Sequence, residues 1–522
     1  MNAAKLARTA AVILLVADFM AGAAGRSAQN GQAPPPEYRQ IAAASQIPDP
    51  ALRLKEFERI KAAYPNTSLL DAIDANILDA KVALATTLEA IIELQRDFLA
   101  EGQGPARLQK PVAMAVQLLN HPRLESFDHT RVLDIVLAYR AQALKAAADP
   151  ANYAGIREDQ QDYFKSSILN AVELLTARAY LNAGDTDRAA YALESYKKGG
   201  GAKGGNYYYV LAGILESTGK TAEAADAYLD AAVEKYSDAA AKAQVLYAKV
   251  HGSADGFKAA FEAKLKALPF TPAPFKAPSA WKGKAVLAEL FTGSECPPCV
   301  GADMAFDALT ETIPSKYLAV LVYHLPIPRP DPMMNQASTA RAAAYGITST
   351  PTVIIDGADK SIGGGGRGAA EAKFTQYRGQ IEPLLAAVPG VALKASAKLD
   401  GDMVKIAYDF DRTIADADYV LVLVQGEQQH QGGNGLTVHR MVVRDLKVID
   451  PAAAKTAVFD LAASEKATDA YLSEFERSYT RIPNFKWTVR RNVLPRQGLR
   501  AVLFVQEKTS GKVLNAVVAE VK

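Results

Sequence analysis

The pattern of apolar positions changes twice along the chain, and each change marks a different architecture. From about Ile47 to Leu268 apolar residues recur at three and four, as on one face of a helix. Leu52 to Tyr64, Ser68 to Leu99, Pro111 to Leu119 and Val132 to Ala147 read this way, between turns rich in Gly, Asp, Asn and Pro. Between Trp281 and Pro389 short apolar runs at 284–291, 317–325 and 351–355 alternate with helical stretches, the order of an α/β domain. The helices expected there are Val300 to Ile313, Asn335 to Tyr345 with Gly346 as its cap, and Ala369 to Ala387. From Val391 the period becomes two, with strands at 391–395, 403–408, 419–425, 436–446, 500–506 and 513–521. Such strands argue for an antiparallel β-sandwich. Pro451 to Phe475 interrupts them and is expected to be a polar excursion with one short helix.

The segments outside these regions set the boundaries. Met1 to Arg8 carries Lys5 and Arg8, Thr9 to Met20 is mostly apolar, and Ala21-Gly-Ala23-Ala24 offers small residues for cleavage. Residues 1–23 therefore read as a secretory signal peptide, which implies an exported protein of the periplasm or extracellular space. No cysteine near the cleavage site invites a lipid anchor, and no later apolar run reaches transmembrane length. Residues 24–46, rich in Gln, Ala and Pro, are expected to form a flexible arm. The helical region then spans 47–268, a proline-rich linker 269–280, the α/β domain 281–389 and the β-sandwich 390–522. A length of 522 residues requires several cores, and a net charge of +2 gives no nucleic-acid signal.

Within the helical region a repeat is visible. Asn170 to Leu181 and Thr186 to Lys197 flank Gly184, and Tyr207 to Ser217 and Thr221 to Ala232 flank Gly219. The glycines lie about 35 residues apart, and Ala189-Ala190 and Ala224-Ala225 supply small residues for close helix packing. This resembles the tetratricopeptide repeat, whose period is about 34 residues. The resemblance implies a helical solenoid that either binds a peptide or protein partner or supports the next domain. Tyr207-Tyr-Tyr209 is expected to pack between helices.

The chemistry centres on Cys296-Pro-Pro-Cys299, which holds both cysteines of the protein. They follow the apolar run Lys284 to Phe291 where a helix begins, a position that favours a thiolate. Three residues apart at a helix start, they lie close enough to close a disulfide. So small a loop adds little stability, and a zinc site needs more ligands than this pair supplies. Redox chemistry is the better reading, and no cofactor is implied. Farther on, Thr350-Pro351 opens the third strand.

The order strand, CxxC helix, strand, helix, Thr-Pro, strand resembles the thioredoxin-like superfamily. The nearer match is to secreted thioredoxin-like proteins of unknown function, whose first strand reads Val-Glu-Leu-Phe-Thr before the cysteines. The resemblance implies Cys296 as attacking thiol and Cys299 as the thiol that resolves the mixed disulfide. It also implies a cis Pro351 against the cysteines, with Thr350 offering backbone groups to a substrate strand. Glu289, an acid in an apolar strand, would assist deprotonation of Cys299, or else sit on the exposed edge of a strand or pair with Lys284. His324 is a candidate activator beside the thiol, and Tyr323, Ile327 and Met333 either line a substrate cleft or are packing. Asp331 echoes an Asp-Pro of the resembled family without a task. His439, Arg440, Arg444, Arg490 and Arg491 read as ordinary charges on strand faces.

Two features depart from thioredoxins. Glu295 stands where a tryptophan precedes the first cysteine, and Pro297-Pro298 removes two N–H groups from the turn. Both point to reduction or thiol transfer over disulfide donation. The leading expectation is a thiol–disulfide oxidoreductase of the bacterial cell envelope acting on protein or small-molecule disulfides. The alternative is a non-enzymatic envelope adaptor in which CPPC is a structural brace, favoured if both cysteines are buried. A copper-handling protein using Cys296, Cys299, His324 and Met333 is the third reading.

Overall fold

A computed structural model describes residues 37–522 apart from 101–103, 157, 237, 454 and 483. The expected signal peptide and the first part of the arm lie outside the described residues. The chain divides into two compact units between Phe261 and Glu262.

The first unit is helical: α1 (Glu37–Ala44), α2 (Pro50–Ala63), α3 (Leu70–Leu84), α4 (Leu88–Ala100), α5 (Pro105–Leu119), α6 (His129–Ala148), α7 (Glu158–Asn182), α8 (Thr186–Lys198), α9 (Gly205–Ser217), α10 (Thr221–Val233) and α11 (Ala239–His251), with α12 (Phe257–Lys266) crossing the boundary. Its cores follow one another along the chain, each made by neighbouring helices. The arm expected at 24–46 is thus ordered at its end. Ile41 and Ala44 are buried with Phe57 and Ile60 of α2, because one face of α1 carries apolar residues at helical spacing. The run 68–99 is two helices, α3 and α4. Gly184 and Gly219 take positive φ at 82° and 77°, closing the hairpins α7–α8 and α9–α10. Ala189 and Ala224 are fully buried where the paired helices approach.

The second unit contains β1 (Val286–Thr292), α13 (Val300–Thr312), β2 (Leu318–His324), α14 (Gln336–Ala344), β3 (Thr352–Ile355), β4 (Asp359–Ile362) and α15 (Ala370–Leu384). Then come β5 (Leu393–Asp400), β6 (Met403–Phe410), β7 (Ala417–Gln429), β8 (Val438–Ile449), β9 (Thr456–Asp460), α16 (Leu461–Ser478), β10 (Leu499–Glu507) and β11 (Val513–Glu520). One mixed sheet runs β11-β10-β7-β8-β2-β1-β3-β4, and β5-β6-β9 form a second, antiparallel sheet. The excursion at 451–475 therefore holds a strand and a helix of 18 residues, not a short one. Asp460 caps that helix by accepting the Ala463 N–H.

The strands after 390 do not stand apart from the α/β part. β8 runs parallel to β2 through the pair Val322–Val442, so the two expected domains share a sheet. That sheet also curls back on itself. Lys284 Nζ donates to the Val513 carbonyl at 2.8 Å, the Ala285 N–H to Asn515 Oδ1 at 2.9 Å, and the Val513 N–H to the Asp356 carbonyl at 2.8 Å. β11, at one edge, is thereby tied to the start of β1 and the end of β3. The run Tyr419 to Val424 is apolar without alternation because both its faces are covered. Val420, Val422 and Val424 join the core of β1 and β2, while Tyr419, Leu421 and Leu423 pack against Val404, Ile406 and Phe459 of the second sheet.

The proline-rich segment is not a spacer either. Phe270 lies 5.4 Å from Phe374, and Phe275 lies 5.1 Å from Tyr317, ring to ring, so it is laid along the second unit by its aromatic residues.

Between the curled halves of the sheet lies a buried ion pair. Arg341 of α14 grips Glu289 with Nε–Oε1 at 2.8 Å and Nη2–Oε2 at 2.9 Å. Tyr323 and Tyr345 hydroxyls donate to the same carboxylate at 3.0 and 2.7 Å, and Arg341 Nη1 donates to Gln506 Oε1 on β10 at 2.7 Å. Removing one member leaves a buried charge unpaired, which typically costs about 3–5 kcal/mol. Arg341→Met is therefore expected to lower stability by about that much, whereas Arg490→Ala, which breaks a more exposed pair with Asp469, loses about 1 kcal/mol or less. Urea unfolding midpoints check this, and equal losses would refute the central role of the pair.

Candidate functional site

Thr292 ends β1 with its side chain toward α13, and the chain turns through Gly293, Ser294 and Glu295 to Cys296. The Cys296 N–H donates to the Gly293 carbonyl at 3.1 Å and the Cys299 N–H to the Cys296 carbonyl at 3.0 Å. Pro297 to Cys299 forms a single 3-10 turn that runs into α13. Two prolines suit this turn, since first-turn N–H groups have no helical partner to lose. The cysteines are joined by a disulfide. Cys296 is 1 % exposed and Cys299 fully buried, while Pro297 and Pro298 are exposed.

Three segments hold the turn. The Thr350–Pro351 bond is cis, and Thr350 places its carbonyl 3.8 Å and its hydroxyl 3.4 Å from Cys296 Sγ. The glycine run after β4 packs on the prolines: Gly365 N–H donates to the Pro298 carbonyl at 2.7 Å and Gly301 N–H to the Gly365 carbonyl at 2.9 Å. A Cβ on Gly364 would sit 1.8 Å from the Pro298 oxygen and 2.5 Å from Pro351 Cγ, so only glycine fits there. The loop between β7 and β8 covers the turn from the other side. Asn434 N–H donates to the Ser294 carbonyl at 2.9 Å, and Gly433 N–H to Glu295 Oε1 at 2.9 Å.

Behind the turn, the proline-rich loop after β2 carries Asp331, which is fully buried. Its Oδ2 accepts the Ser294 N–H at 2.6 Å and lies 2.8 Å from His324 Nδ1, while Oδ1 accepts the Met333 N–H at 2.8 Å. Burial alone would raise this carboxyl, but the His324 ring and the two backbone amides outweigh it and hold it at about 2. The His324 ring is followed by His439, 5.2 Å away between centroids, and His430, 5.9 Å from His439. Burial, then the nearby His324, pushes His439 down to about 3. On the α13 side, the half-buried Asp303 carboxyl accepts from the Thr292 hydroxyl at 2.9 Å. Burial is the main reason that it is held well above the ordinary carboxylate range.

The residues singled out from sequence fall into two groups. Cys296, Cys299, Thr350, Pro351 and His324 are brought together, and His324 reaches the turn through Asp331. Glu289 is not with them. β1 turns Leu290 and Thr292 toward α13 but Glu289 and Phe291 toward α14, so Glu289 lies on the opposite face of the sheet from the cysteine helix. It is bound by Arg341, not Lys284, which pairs with Asp356 at 2.8 Å. Tyr323 shares that face, stacked 4.8 Å from Phe291 and fully buried, so it lines no cleft. Met333 is fully buried as packing and Ile327 half-buried at the turn.

Asp303, His439 and the task of Asp331 were not read from sequence. An acid four residues after Cys299 on the same helix face was the available signal for Asp303. His439 sat in a strand of mixed charge with nothing to set it apart. Of the arginines, Arg440 pairs with Asp307 at 3.0 Å and Arg490 with Asp469 at 2.9 Å, while Arg444 is buried. Among the described residues no group of three or more His, Cys, Asp and Glu side chains is placed to hold a metal ion. No family model, curated protein or solved structure matches the chain.

Asp331 gives the site a pH dependence of defined sign. Its folded value of about 2 lies below the ordinary 3.8, so its contribution is present above about pH 4 and is lost as pH falls toward 2. At about 1.4 kcal/mol per unit this amounts to about 2 kcal/mol. Urea midpoints measured from pH 5 to pH 2 should fall more steeply for the native protein than for Asp331→Asn, and parallel slopes would contradict the assignment.

Proposed function

We propose that the protein is a thiol–disulfide exchanger acting outside the cytoplasm on protein or small-molecule disulfides, with Cys296 attacking and Cys299 resolving. The observation that carries this reading is the placement of Cys296 Sγ against Thr350 and the cis Pro351, at the start of a helix and at the end of a strand. The strand order β2-β1-β3-β4, with β1 parallel to β2 and antiparallel to β3, supports the thioredoxin-like resemblance. In exchange, the Cys296 thiolate attacks one sulfur of a partner disulfide and expels the other as a thiolate. The Cys299 thiolate then attacks Cys296 Sγ, closes the internal disulfide and releases the second partner thiol. An external dithiol returns the pair to its reduced form. Thr350 would receive the partner's backbone, and the stacked helices of the first unit, read as tetratricopeptide-like, would choose the partner. The paired sheets after residue 390, read as the sandwich, would wall the site through the loop at 430–437.

The brace reading rests on one specific observation, the burial of both cysteines. In that case the molecule is an envelope adaptor and CPPC holds a turn. The test is equilibration of the purified protein in dithiothreitol buffers of graded ratio. Reversible opening of the folded protein, with Cys299→Ser trapping a small thiol on Cys296, is the expected result. A disulfide that opens only on unfolding would replace exchange with the brace.

A further inference from the structure

The loop 430–437, between β7 and β8, lies on the three residues that precede Cys296. Asn434 N–H donates to the Ser294 carbonyl at 2.9 Å and its Nδ2 to the Gly293 carbonyl at 3.3 Å, while Gly433 N–H donates to Glu295 Oε1 at 2.9 Å. Gly432 comes so near that a Cβ there would stand 2.7 Å from the Ser294 oxygen. Leu436, half-buried, packs against Val300 and Met304 at the head of α13. The hold is slight, since each of these hydrogen bonds contributes only about 0.5–1.5 kcal/mol net. Segments held so lightly are among the first to open in a folded protein.

The base of the loop is closed at His430. Its N–H donates to the Thr437 carbonyl at 3.0 Å, and its carbonyl lies 3.2 Å from His439 Nε2. His430 is 9 % exposed, and its Nε2 is buried without a hydrogen-bond partner. A neutral ring accommodates this, because an imidazole can leave a bare lone pair at one nitrogen. A protonated ring does not, because both nitrogens then carry N–H and the one at Nε2 finds no acceptor.

We propose that this loop is an acid-released lid: protonation of His430 turns its ring out to water, and the loop lifts from the cysteine turn and uncovers Cys296 to partner disulfides. The inference rests on the exchange reading above and gives that site its regulation. His430 precedes Gly433 by three residues, so a ring that leaves its seat pulls directly on the bonds that Gly433 and Asn434 make to the turn. With the lid down, Cys296 is 1 % exposed.

The groups around His430 come from five segments. Arg491, in the stretch between α16 and β10, and His324 of β2 disfavour a further positive charge, whereas Asp331 of the proline-rich loop and Glu295 of the turn favour one. The ring of His439 on β8 lies 5.9 Å away between centroids. Burial is the largest influence, and with Arg491 and His324 it outweighs the two carboxylates, so His430 is lowered from the ordinary 6.5. The sign follows from that direction. A lowered imidazole stabilises the closed lid fully above about pH 6.5, and this contribution is lost as pH falls below it, by at most about tenfold in the closed-to-open ratio per pH unit for one proton. Asp331 at about 2 and His439 at about 3 titrate below this window.

The test measures two rates on the oxidised full-length protein at pH 7 and at pH 5. One is hydrogen–deuterium exchange of the amides at 432–436, and the other is opening of the disulfide of the folded protein by a water-soluble phosphine. Each native rate is divided by that of His430→Gln at the same pH, which cancels the pH dependence of the probes themselves. Both ratios should rise by at least about threefold from pH 7 to pH 5, within the limit of one proton. Asn434→Gly, which removes a side-chain bond to the turn, should raise both rates at both pH values and keep the acid response. Should His430→Gln lose the native circular dichroism, His430→Asn takes its place. Ratios that stay constant overturn the acid release. Faster exchange of the loop in acid without faster opening of the disulfide overturns the lid, since the loop then does not govern Cys296. A disulfide that the phosphine opens only on unfolding removes the exchange reading, and the lid with it.

Discussion

The second unit is built around a charge that has nowhere else to go. Glu289 sits in the middle of an apolar strand, and only the guanidinium of Arg341 with two tyrosine hydroxyls makes its burial tolerable. Arg341 also reaches Gln506 on β10 and lies over the ring of Phe504, 5.0 Å away. These contacts are available only if the far strands fold back over β1 and β2. The ion pair therefore asks for the curl of the sheet, and the curl supplies the apolar walls that bury the pair. A polar group that must be satisfied here acts as a register device for strands that apolar packing alone would leave free to slide.

The same logic operates on the opposite face, at smaller scale and with chemical consequence. Asp331 satisfies the Ser294 amide and the His324 ring at once, so the shape of the cysteine turn and the state of the histidine are bound together. The turn is also gripped by the glycine run on one side and by the loop between β7 and β8 on the other. Nothing in the first strand–helix motif alone would bury Cys296. Its cover comes from segments 50 and more residues distant.

How much of this was legible in the sequence depended on how local each cause was. The helices 186–198, 205–217 and 221–233, the strands β1 and β2, and the helix after CPPC were readable because their periodicity and caps lie within a few residues. Thr350-Pro351 was readable as the start of a strand. The helix at 37–44 was missed because one short amphipathic turn among polar residues carries little signal without its partner Phe57. The strand 456–460 was missed, and the helix after it was read as short, because the mixed charges of 451–475 resemble those of a loop. Glu289 was rightly marked as an anomaly in an apolar strand, but which face it occupied, and therefore its partner, was set by the sheet.

By itself the sequence determined the succession of elements, the pairing of the only two cysteines across one helical turn, and the segments that bear on them, since all follow from spacing and local chemistry. Only the tertiary structure decided that the strands after 390 extend the sheet of β1 and β2. It also decided that Glu289 faces away from the cysteines while Thr292 and Asp303 meet on their side of the sheet, and that His324, Asp331 and His439 meet behind the turn. The physical reason is that a strand's side chains divide between two faces by strict alternation, and what covers each face is chosen by distant parts of the chain. Spacing tells which residues share a side. Burial and partnership, which give a carboxyl or an imidazole its chemistry, are properties of the assembled core.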